Sequence, residues 1–217
     1  MNDIKEYFDV RNRFAPWHTL RYIESLEWLD SYLISGSSVL DLGGNSAFSD
    51  ALKKFRGVCM RSNVPDLRYQ FPFPDNSLGL VLCMEVLEHI CDRGDSQIDI
   101  FTGSGIKNIL SETFRVLRSG GHLFLTTPNV CCYNSVWRAL QGKHPFSYSP
   151  HFRELAPADV VECVERAGFK VERYEVLDIW QGHNVPGNVV ESINQISDKL
   201  QCEVARGDCT FILACKG

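Results

Sequence analysis

The sequence predicts a doubly wound α/β domain, in which helices cover both faces of a central sheet. Apolar runs of strand length alternate with amphipathic helical segments along the chain, which is typical of this fold class. One run, residues 78–84, is almost continuously apolar, as in strands that are covered on both faces. The length of 217 residues suffices for a single domain with a full core.

The composition excludes several broad classes of protein. A net charge of −5 argues against non-specific nucleic-acid binding, so no nucleic-acid partner is expected. The charged N-terminus and the lack of a long apolar run predict a cytoplasmic protein without a signal peptide or membrane insertion. Nine scattered cysteines without a C-x-x-C pattern predict reduced thiols.

The first part of the chain predicts a helix, a strand and a second helix. Residues 18–33 carry apolar side chains every three or four positions and acids on the other face, which predicts an amphipathic helix. Residues 37–42 predict a short buried strand. Residues 46–55 predict a helix that ends at Gly57, because glycine is the preferred residue just after a helix.

The rest of the chain continues the alternation. A strand over 78–84, a helix over 106–121 closed by Gly-Gly and a strand over 122–128 are expected in turn. The next helical segment, PADVVECVERAGF, has a proline at its first turn and a glycine just after its end. The alternating stretch KVERYEVL after it predicts another strand. The segment CTFILACK predicts the last strand. Ligands of such sheets bind beyond the carboxyl ends of the strands.

Two groups of polar or flexible residues follow predicted strands. At the first, Asp41 precedes Gly43 and Gly44, where the backbone can turn sharply and its amides can receive an anion; a plain tight turn is the alternative. At the second, Glu85 lies three and four residues before Glu88 and His89, one turn of a helix face. Such a group can bind a divalent metal or move a proton, or serve only packing and capping.

Four blocks, taken in order, resemble the landmarks of class I S-adenosylmethionine-dependent methyltransferases. The resemblance covers about residues 38–180, and the final RGDCTFILACKG fits the last strand of that family. Small-molecule O-methyltransferases of sugar, polysaccharide and quinone pathways are the most similar group. The four blocks are VLDLGG, FPFPDNSLGLVLCMEVLEHI, ETFRVLRSGGHLFLTTPN and HFRELAPADVVECVERAGFKVE.

The resemblance refines the expected fold. It implies a Rossmann-like, mostly parallel sheet with an antiparallel last strand. The short span between residues 43 and 78 implies one strand-helix unit fewer than usual in the region of the second and third strands. We expect one methyltransferase domain over residues 1–217, with an N-terminal helical segment over 1–35 and an acceptor-side loop over 129–156.

The resemblance also implies where the cofactor S-adenosylmethionine binds. The turn after the first strand would hold its methionine end, Asp66 would lie near its adenine, and the end of the fourth strand of the family would lie beneath its sulfonium. The residues expected to line it are Asp41, Gly43, Gly44, Asn45, Asp66, Met84 and Glu85, with Cys83 beside them.

The chain departs from the family pattern at three places. Asn45 and Ala47 stand at the later glycine positions of the first motif, and Gly79 replaces the usual aspartate. The stretch GVCMRSN has no carboxylate to bind the ribose hydroxyls. Two alternatives follow: the second and third strand units are fused and shortened, or cofactor binding is weakened.

The implied activity is methyl transfer to a hydroxyl of a small-molecule acceptor, for which His89, His151 and Glu88 are the catalytic candidates. The E-x-x-E-H pattern is also similar to that of small-RNA 2′-O-methyltransferases, which implies a magnesium or manganese ion held by Glu85, Glu88, His89 and His151. A degenerate fold that only binds a ligand is the rival from another class. The identity of the acceptor and the oligomeric state stay open.

Overall fold

One six-stranded sheet with the order β2-β1-β3-β4-β6-β5 forms the centre of the molecule. The computed structural model describes residues 6–8, 18–44, 46–92, 103–148, 150–180 and 185–217. Strands β1 to β4 pair in parallel, and β6 is antiparallel to both β4 and β5. The predicted doubly wound fold with an antiparallel last strand is therefore confirmed.

The strands and helices alternate along the described chain. The strands are β1 Ser38–Asp41, β2 Cys59–Arg61, β3 Leu78–Met84, β4 Leu117–Pro128, β5 Phe169–Leu177 and β6 Cys209–Lys216. The helices are α1 His18–Leu29, α2 Ala47–Arg56, α3 Ser104–Val116, α4 Tyr133–Leu140, α5 Pro157–Arg166 and α6 Gly187–Lys199, with 3₁₀ turns at Asp30–Tyr32 and Leu87–His89. None of the described helices is long and apolar enough to span a bilayer.

The two faces of the sheet bury separate apolar clusters. On one face, Leu26 of α1 and Phe48 of α2 pack with Phe124 of β4. On the other face, Ile109 of α3 and Val160 of α5 pack against the strands. Since consecutive residues of a strand point to opposite faces, a buried strand such as β3 contributes to both clusters and must be apolar throughout.

The shortened region predicted from the sequence is confirmed. Strand β2 lies at one edge of the described sheet, and residues 62–77 run from it to β3 without another strand or helix. The nine cysteines are unpaired in the structure.

The helix predicted over residues 106–121 is wrong at its end. Helix α3 ends at Val116, and Leu117 is already extended and pairs with Leu78 of β3. The pair of glycines therefore lies within β4 rather than at the end of a helix. The register between β3 and β4 shifts between Leu78, which pairs with Leu117, and Leu80, which pairs with His122. This irregularity accommodates the extra residues of β4.

Side chains of α3 hold the loop that takes the place of a strand-helix unit. The amide nitrogen of Asn108 donates to the carbonyl oxygens of Leu67 at 2.9 Å and Tyr69 at 2.8 Å. Backbone groups in such a loop need partners in place of a sheet ladder. The side chains of one helix supply them here.

Arg115 is the main anchor of this loop. Its guanidinium donates to the carbonyl oxygens of Phe73 at 2.9 Å and Phe71 at 3.0 Å and to the carboxylate of Asp75 at 2.6 Å. Glu112 accepts from the same guanidinium at 2.7 Å and from the N–H of Phe71 at 2.7 Å. These bonds and the Arg115 charge lower the pKa of Glu112.

Replacing Arg115 should destabilise the fold through this loop. The change Arg115→Met removes the donors to two backbone carbonyls and two carboxylates, so we expect a loss of about 2–4 kcal/mol in the free energy of unfolding. Urea denaturation measures it. The matched control Arg118→Met, at an exposed position three residues later, should change stability by less than ~0.5 kcal/mol. Equal losses in both variants would contradict the role of Arg115.

Candidate functional site

The turn after β1 is organised by the buried carboxylate of Asp41. Its Oδ1 accepts from the N–H of Gly43 at 3.0 Å, and its Oδ2 accepts from the hydroxyls of Ser46, at 3.3 Å, and Ser49. Burial raises the pKa of Asp41, whereas these hydrogen bonds favour its charged form. Asp41 therefore fixes the turn and the start of α2 at the same time.

Gly44 gives this turn its shape. Its φ of +87° lies in the left-handed region that glycine adopts readily, and an added Cβ would meet no atom within 4 Å. An added Cβ at Gly43 would lie 3.4 Å from Asp41 Oδ1. The backbone at Gly44 thus faces open space where a ligand can approach. Asn45, the next residue predicted to bind a cofactor, lies outside the described residues.

Arg21 on α1 is the buried cation of the site. Its Nη1 lies 3.4 Å from Glu85 Oε1, and its side chain is only 5% exposed. The charge of Glu85 raises the pKa of Arg21, against the opposing effect of burial, which is the larger single influence. The Nε and Nη1 groups of Arg21 are buried and donate no hydrogen bond.

Aromatic rings surround the same guanidinium. Its carbon lies 5.1 Å from the ring centre of Tyr22 and 5.4 Å from that of Trp180. The ring of His18 packs edge-on against Trp180 at 5.1 Å. Burial and the positive charge of Arg21 lower the pKa of His18 to about 4, so this imidazole is neutral near pH 7. Aromatic faces attract a cation, but they do not satisfy its N–H donors.

The α-helix predicted to carry Glu85, Glu88 and His89 on one face is wrong. Glu85 has a left-handed φ of 54°, its N–H donates to the carbonyl oxygen of Thr126 at 2.8 Å, and a 3₁₀ turn begins only at Leu87. An isolated left-handed residue cannot continue a right-handed helix. The carboxylate of Glu85 therefore contacts Arg21 instead of sharing a helix face with the other two side chains.

Glu88, His89 and His151 lie together at the carboxyl edge of the sheet. One ligand atom of each lies within 4.8 Å of the others, and the two imidazole ring centres are 4.7 Å apart. Tyr148 covers this pair, with its ring centre 5.3 Å from that of His151. The structure brings these three predicted residues together, and Glu85 is not part of the group.

Glu88 is a buried acid with one unsatisfied oxygen. It is 1% exposed; its Oε2 accepts from Thr127 at 2.9 Å, and its Oε1 has no hydrogen-bond partner. Burial, followed by the charge of Glu85, raises the pKa of Glu88 well above its ordinary value. Burial and the neighbouring His151 lower the pKa of His89.

His151 is held by a second buried carboxylate. Its Nδ1 lies 2.5 Å from Oε1 of Glu154, an acid that is 5% exposed. The same oxygen accepts from the N–H and the hydroxyl of Ser147, each at 2.7 Å. If Glu154 accepts from Nδ1, the neutral form of the His151 ring would have Nε2 as its free acceptor. This is the geometry of an oriented base.

The two remaining predicted cofactor residues occupy different positions. Met84 is half-buried at the end of β3, directly before Glu85. Asp66 lies in the loop between β2 and β3, where its carboxylate accepts from the backbone N–H of Arg68 at 2.9 Å and from the guanidinium of Arg68 at 2.7 Å. Recognition of an adenine by Asp66 would have to compete with this arginine.

A cavity of about 240 Å³ opens beside the ring of Trp180, between α4, α6 and the ends of β5 and β6. Tyr133 of the predicted acceptor-side loop, Asp178 and Asp208 help to line it. Asp208 accepts from the N–H groups of Ile179 at 2.8 Å and Trp180 at 3.0 Å. Burial raises the pKa of Asp208 to about 6, although these two bonds favour its ionised form.

Sequence reasoning missed three residues of the site, namely Arg21, Glu154 and Trp180. Arg21 stands in an amphipathic segment that predicts a surface helix with exposed charges. Glu154 follows His151 by three residues, a spacing that signals a pair only once His151 is taken as a base. Trp180 comes from the far end of the chain, and no local pattern connects it to α1.

The chain is similar to known methyltransferases in sequence and in fold. A family model described as a methyltransferase domain matches residues 45–125, from the turn after β1 to β4. A protein of Mycolicibacterium smegmatis named probable S-adenosylmethionine-dependent methyltransferase is 32% identical over 113 residues, which is 52% of this chain and 36% of that protein. The chain thus spans about a third of the length of this relative.

Solved structures share the fold. A SAM-dependent methyltransferase from Thermotoga maritima superposes with a TM-score of 0.58 and 15% identity, covering 100% of both chains. A geranyl diphosphate methyltransferase in complex with SAM superposes with a TM-score of 0.53 and 12% identity, covering 95% of this chain and 92% of the other. The described chain therefore has the Rossmann-like α/β fold of methyltransferases.

The pair of Arg21 and Glu85 should behave as a coupled buried unit. Arg21→Met or Glu85→Gln alone leaves the partner without its counter-charge, so each should lower the free energy of unfolding by about 3 kcal/mol. The double variant should lose clearly less than the sum. Urea denaturation without added ligand measures this.

The exposed pair of Arg56 and Asp30 is the control. Its members are 28% and 66% exposed, so Asp30→Asn should cost less than about 1 kcal/mol. Strictly additive losses for Arg21 and Glu85 would show that the two groups are not coupled.

Proposed function

We propose that this chain is an S-adenosylmethionine-dependent methyltransferase that transfers a methyl group to a hydroxyl of a small molecule, such as a sugar or another biosynthetic intermediate. The observation that carries the proposal is the His151–Glu154 pair at the same sheet edge as the turn after β1. The methyltransferase-domain match over residues 45–125 supports the cofactor. The finer assignment, a hydroxyl acceptor, rests on the oriented histidine.

The described residues fit the methionine end of the cofactor. That end carries a carboxylate, and Arg21 offers it two buried nitrogens, Nε and Nη1, that donate no hydrogen bond, although Nη1 is also ion-paired with Glu85 at 3.4 Å. Gly44 leaves the backbone of the turn open to a close approach, and Asp41 holds that turn in place. When bound, S-adenosylmethionine supplies an electrophilic methyl group on a sulfonium. We assign Arg21, Asp41 and Gly44 to its binding.

The acceptor side must remove one proton. A sugar or phenol hydroxyl is a poor nucleophile near neutral pH, so a base positioned on it accelerates transfer. His151 would accept that proton at Nε2, because its Nδ1 is held by Glu154. Glu154 would orient the ring and stabilise the imidazolium. Tyr148 and His89 would exclude water from one side of the acceptor.

A metal-assisted form of the same reaction is the second candidate. It is favoured by the group of Glu88, His89 and His151, and by the unsatisfied Oε1 of Glu88. Carboxylate and imidazole groups suit a magnesium- or manganese-like ion, which would lower the pKa of a bound hydroxyl. Glu85 is not included among these metal ligands because Arg21, Thr126 and Cys209 already contact its carboxylate.

Cofactor binding can be tested with two matched glycine variants. Gly44 and Gly36 have φ values of +87° and +79°, and at neither would a Cβ meet another atom within 4 Å. Alanine at either position should therefore cost a similar ~1 kcal/mol of stability. Only Gly44→Ala should weaken S-adenosylmethionine binding, by ~10-fold or more in calorimetry. Equal affinity of both variants would refute the assignment of this turn.

The proposed base can be tested with labelled cofactor and a panel of monosaccharides, sugar nucleotides and phenols. His151→Ala should lower turnover by about 100-fold or more, and Glu154→Gln by about 10-fold, with cofactor affinity unchanged. Added imidazole should partly restore His151→Ala. The control His144→Ala, at an exposed position of the same loop, should remain active. Full activity of His151→Ala would exclude it as the base.

The same assay separates the remaining alternatives. Chelation with EDTA should abolish turnover if a metal holds the acceptor, and leave it intact if His151 acts as base alone. Cofactor binding without transfer to any member of the panel would favour a ligand-binding role for the fold.

A further inference from the structure

A second group of metal-ligand side chains lies at the other end of the sheet. His122 of β4 and Cys215 of β6 are directly opposite residues of an antiparallel pair, and Glu172 of β5 lies beside them. His122 Nε2 lies 3.2 Å from Glu172 Oε2, and one ligand atom of each of the three lies within 4.8 Å of the others. Three adjacent strands thus contribute one ligand each.

This group is separate from the candidate site. His122 lies on the stretch where β4 begins to pair regularly with β3, whereas Thr126 and Thr127, which contact Glu85 and Glu88, lie four and five residues further along β4. At ~3.3 Å per residue, that distance is about 13–17 Å. The side chain of His122 is 17% exposed.

The ring of Tyr32 covers one side of the cluster. It packs on His122 with ring centres 4.5 Å apart. The side chain of Glu172 is 35% exposed, so an ion has a path from solvent. The histidine is therefore fixed on one side by packing and reachable from the other, which favours a defined coordination geometry over a mobile surface group.

We propose that His122, Cys215 and Glu172 bind a zinc-like divalent metal ion. Imidazole, thiolate and carboxylate are the ligands that zinc takes in proteins, and three of them leave a fourth position for water. For tetrahedral zinc with bonds of about 2.0–2.1 Å, the nitrogen and oxygen ligands are roughly 3.3 Å apart. The 3.2 Å between His122 and Glu172 matches that spacing.

Such an ion would connect β4, β6 and β5. Strand β5 lies at one edge of the described sheet and pairs within the sheet with β6 alone. A bond from Glu172 through the metal to His122 would connect this edge strand to β4, across β6. The role of the site is structural, and methyl transfer does not depend on it.

Cobalt(II) is the probe for the test, because it substitutes for zinc and its bond to a thiolate gives a near-ultraviolet charge-transfer band. Reduced, metal-free protein should develop this band on addition of one equivalent of Co²⁺. Cys215→Ser should abolish it, and His122→Asn should weaken binding by ~10-fold or more. The control Cys202→Ser, an exposed cysteine elsewhere, should retain it. Zinc in ~100-fold excess over its dissociation constant should raise Tm by about 5–10 °C in the wild type and not in Cys215→Ser.

The thiolate band also distinguishes this cluster from the group of Glu88, His89 and His151, which contains no sulfur. A wild-type protein without the band, or a band that persists in Cys215→Ser, would overturn the proposal. A normal melting temperature of metal-free Cys215→Ser shows that the variant folds. Neither the cobalt band nor the melting temperature involves the cofactor or an acceptor. A negative result for this metal site therefore does not bear on the proposed methyl transfer, and a failure of the methyl-transfer assay does not bear on the metal site.

Discussion

The backbone of Glu85 determines how the carboxyl edge of the sheet is assembled. Its left-handed conformation, which costs a non-glycine residue about 1–3 kcal/mol, ends β3 and turns the chain away from a helix. Its N–H extends the ladder to Thr126, and its carboxylate contacts Arg21, Thr126 and Cys209. One residue thus joins α1, β4 and β6, and the positions of both halves of the candidate site follow from it.

The electrostatics of the edge follow from a shortage of positive charge. The buried acids there include Asp41 and Glu88, and burial raises the pKa of each. Arg21 favours the charged form of both, but it is held directly by Glu85. A buried arginine with unused donors and a buried acid with an unused oxygen are costly alone. The cost of burying Arg21 would fall if a ligand accepted hydrogen bonds from it. The cost of burying Glu88 would fall if a ligand donated to its free oxygen or coordinated it.

The sequence was sufficient for features that depend on local periodicity. Apolar runs located β1, β3 and β6, and the glycine at position 57 ends α2 in the left-handed conformation as predicted. The short span before residue 78 correctly predicted the shortened sheet. These features follow from spacing along the chain, which requires no knowledge of which elements meet.

Features that depend on tertiary contacts were not predictable. The segment after β3 has helical spacing, yet a hydrogen bond from Glu85 to a neighbouring strand imposes a different backbone. The end of α3 is decided by the pairing of Leu117 with Leu78, a contact invisible in the helix itself. The roles of Arg21 and Glu154 depend on partners that lie far along the chain or across a loop.

The shortened region leaves β2 as an outer strand, and this affects how the protein behaves at high concentration. An exposed strand edge offers unpaired backbone groups to which another chain can add, the first step of many aggregation reactions. Strand β2 has only three residues, Cys59–Arg61, and ends in an exposed arginine. So short and charged an edge templates few hydrogen bonds and repels a second copy of itself. Among the described residues, this edge therefore offers little backbone for another chain to pair with.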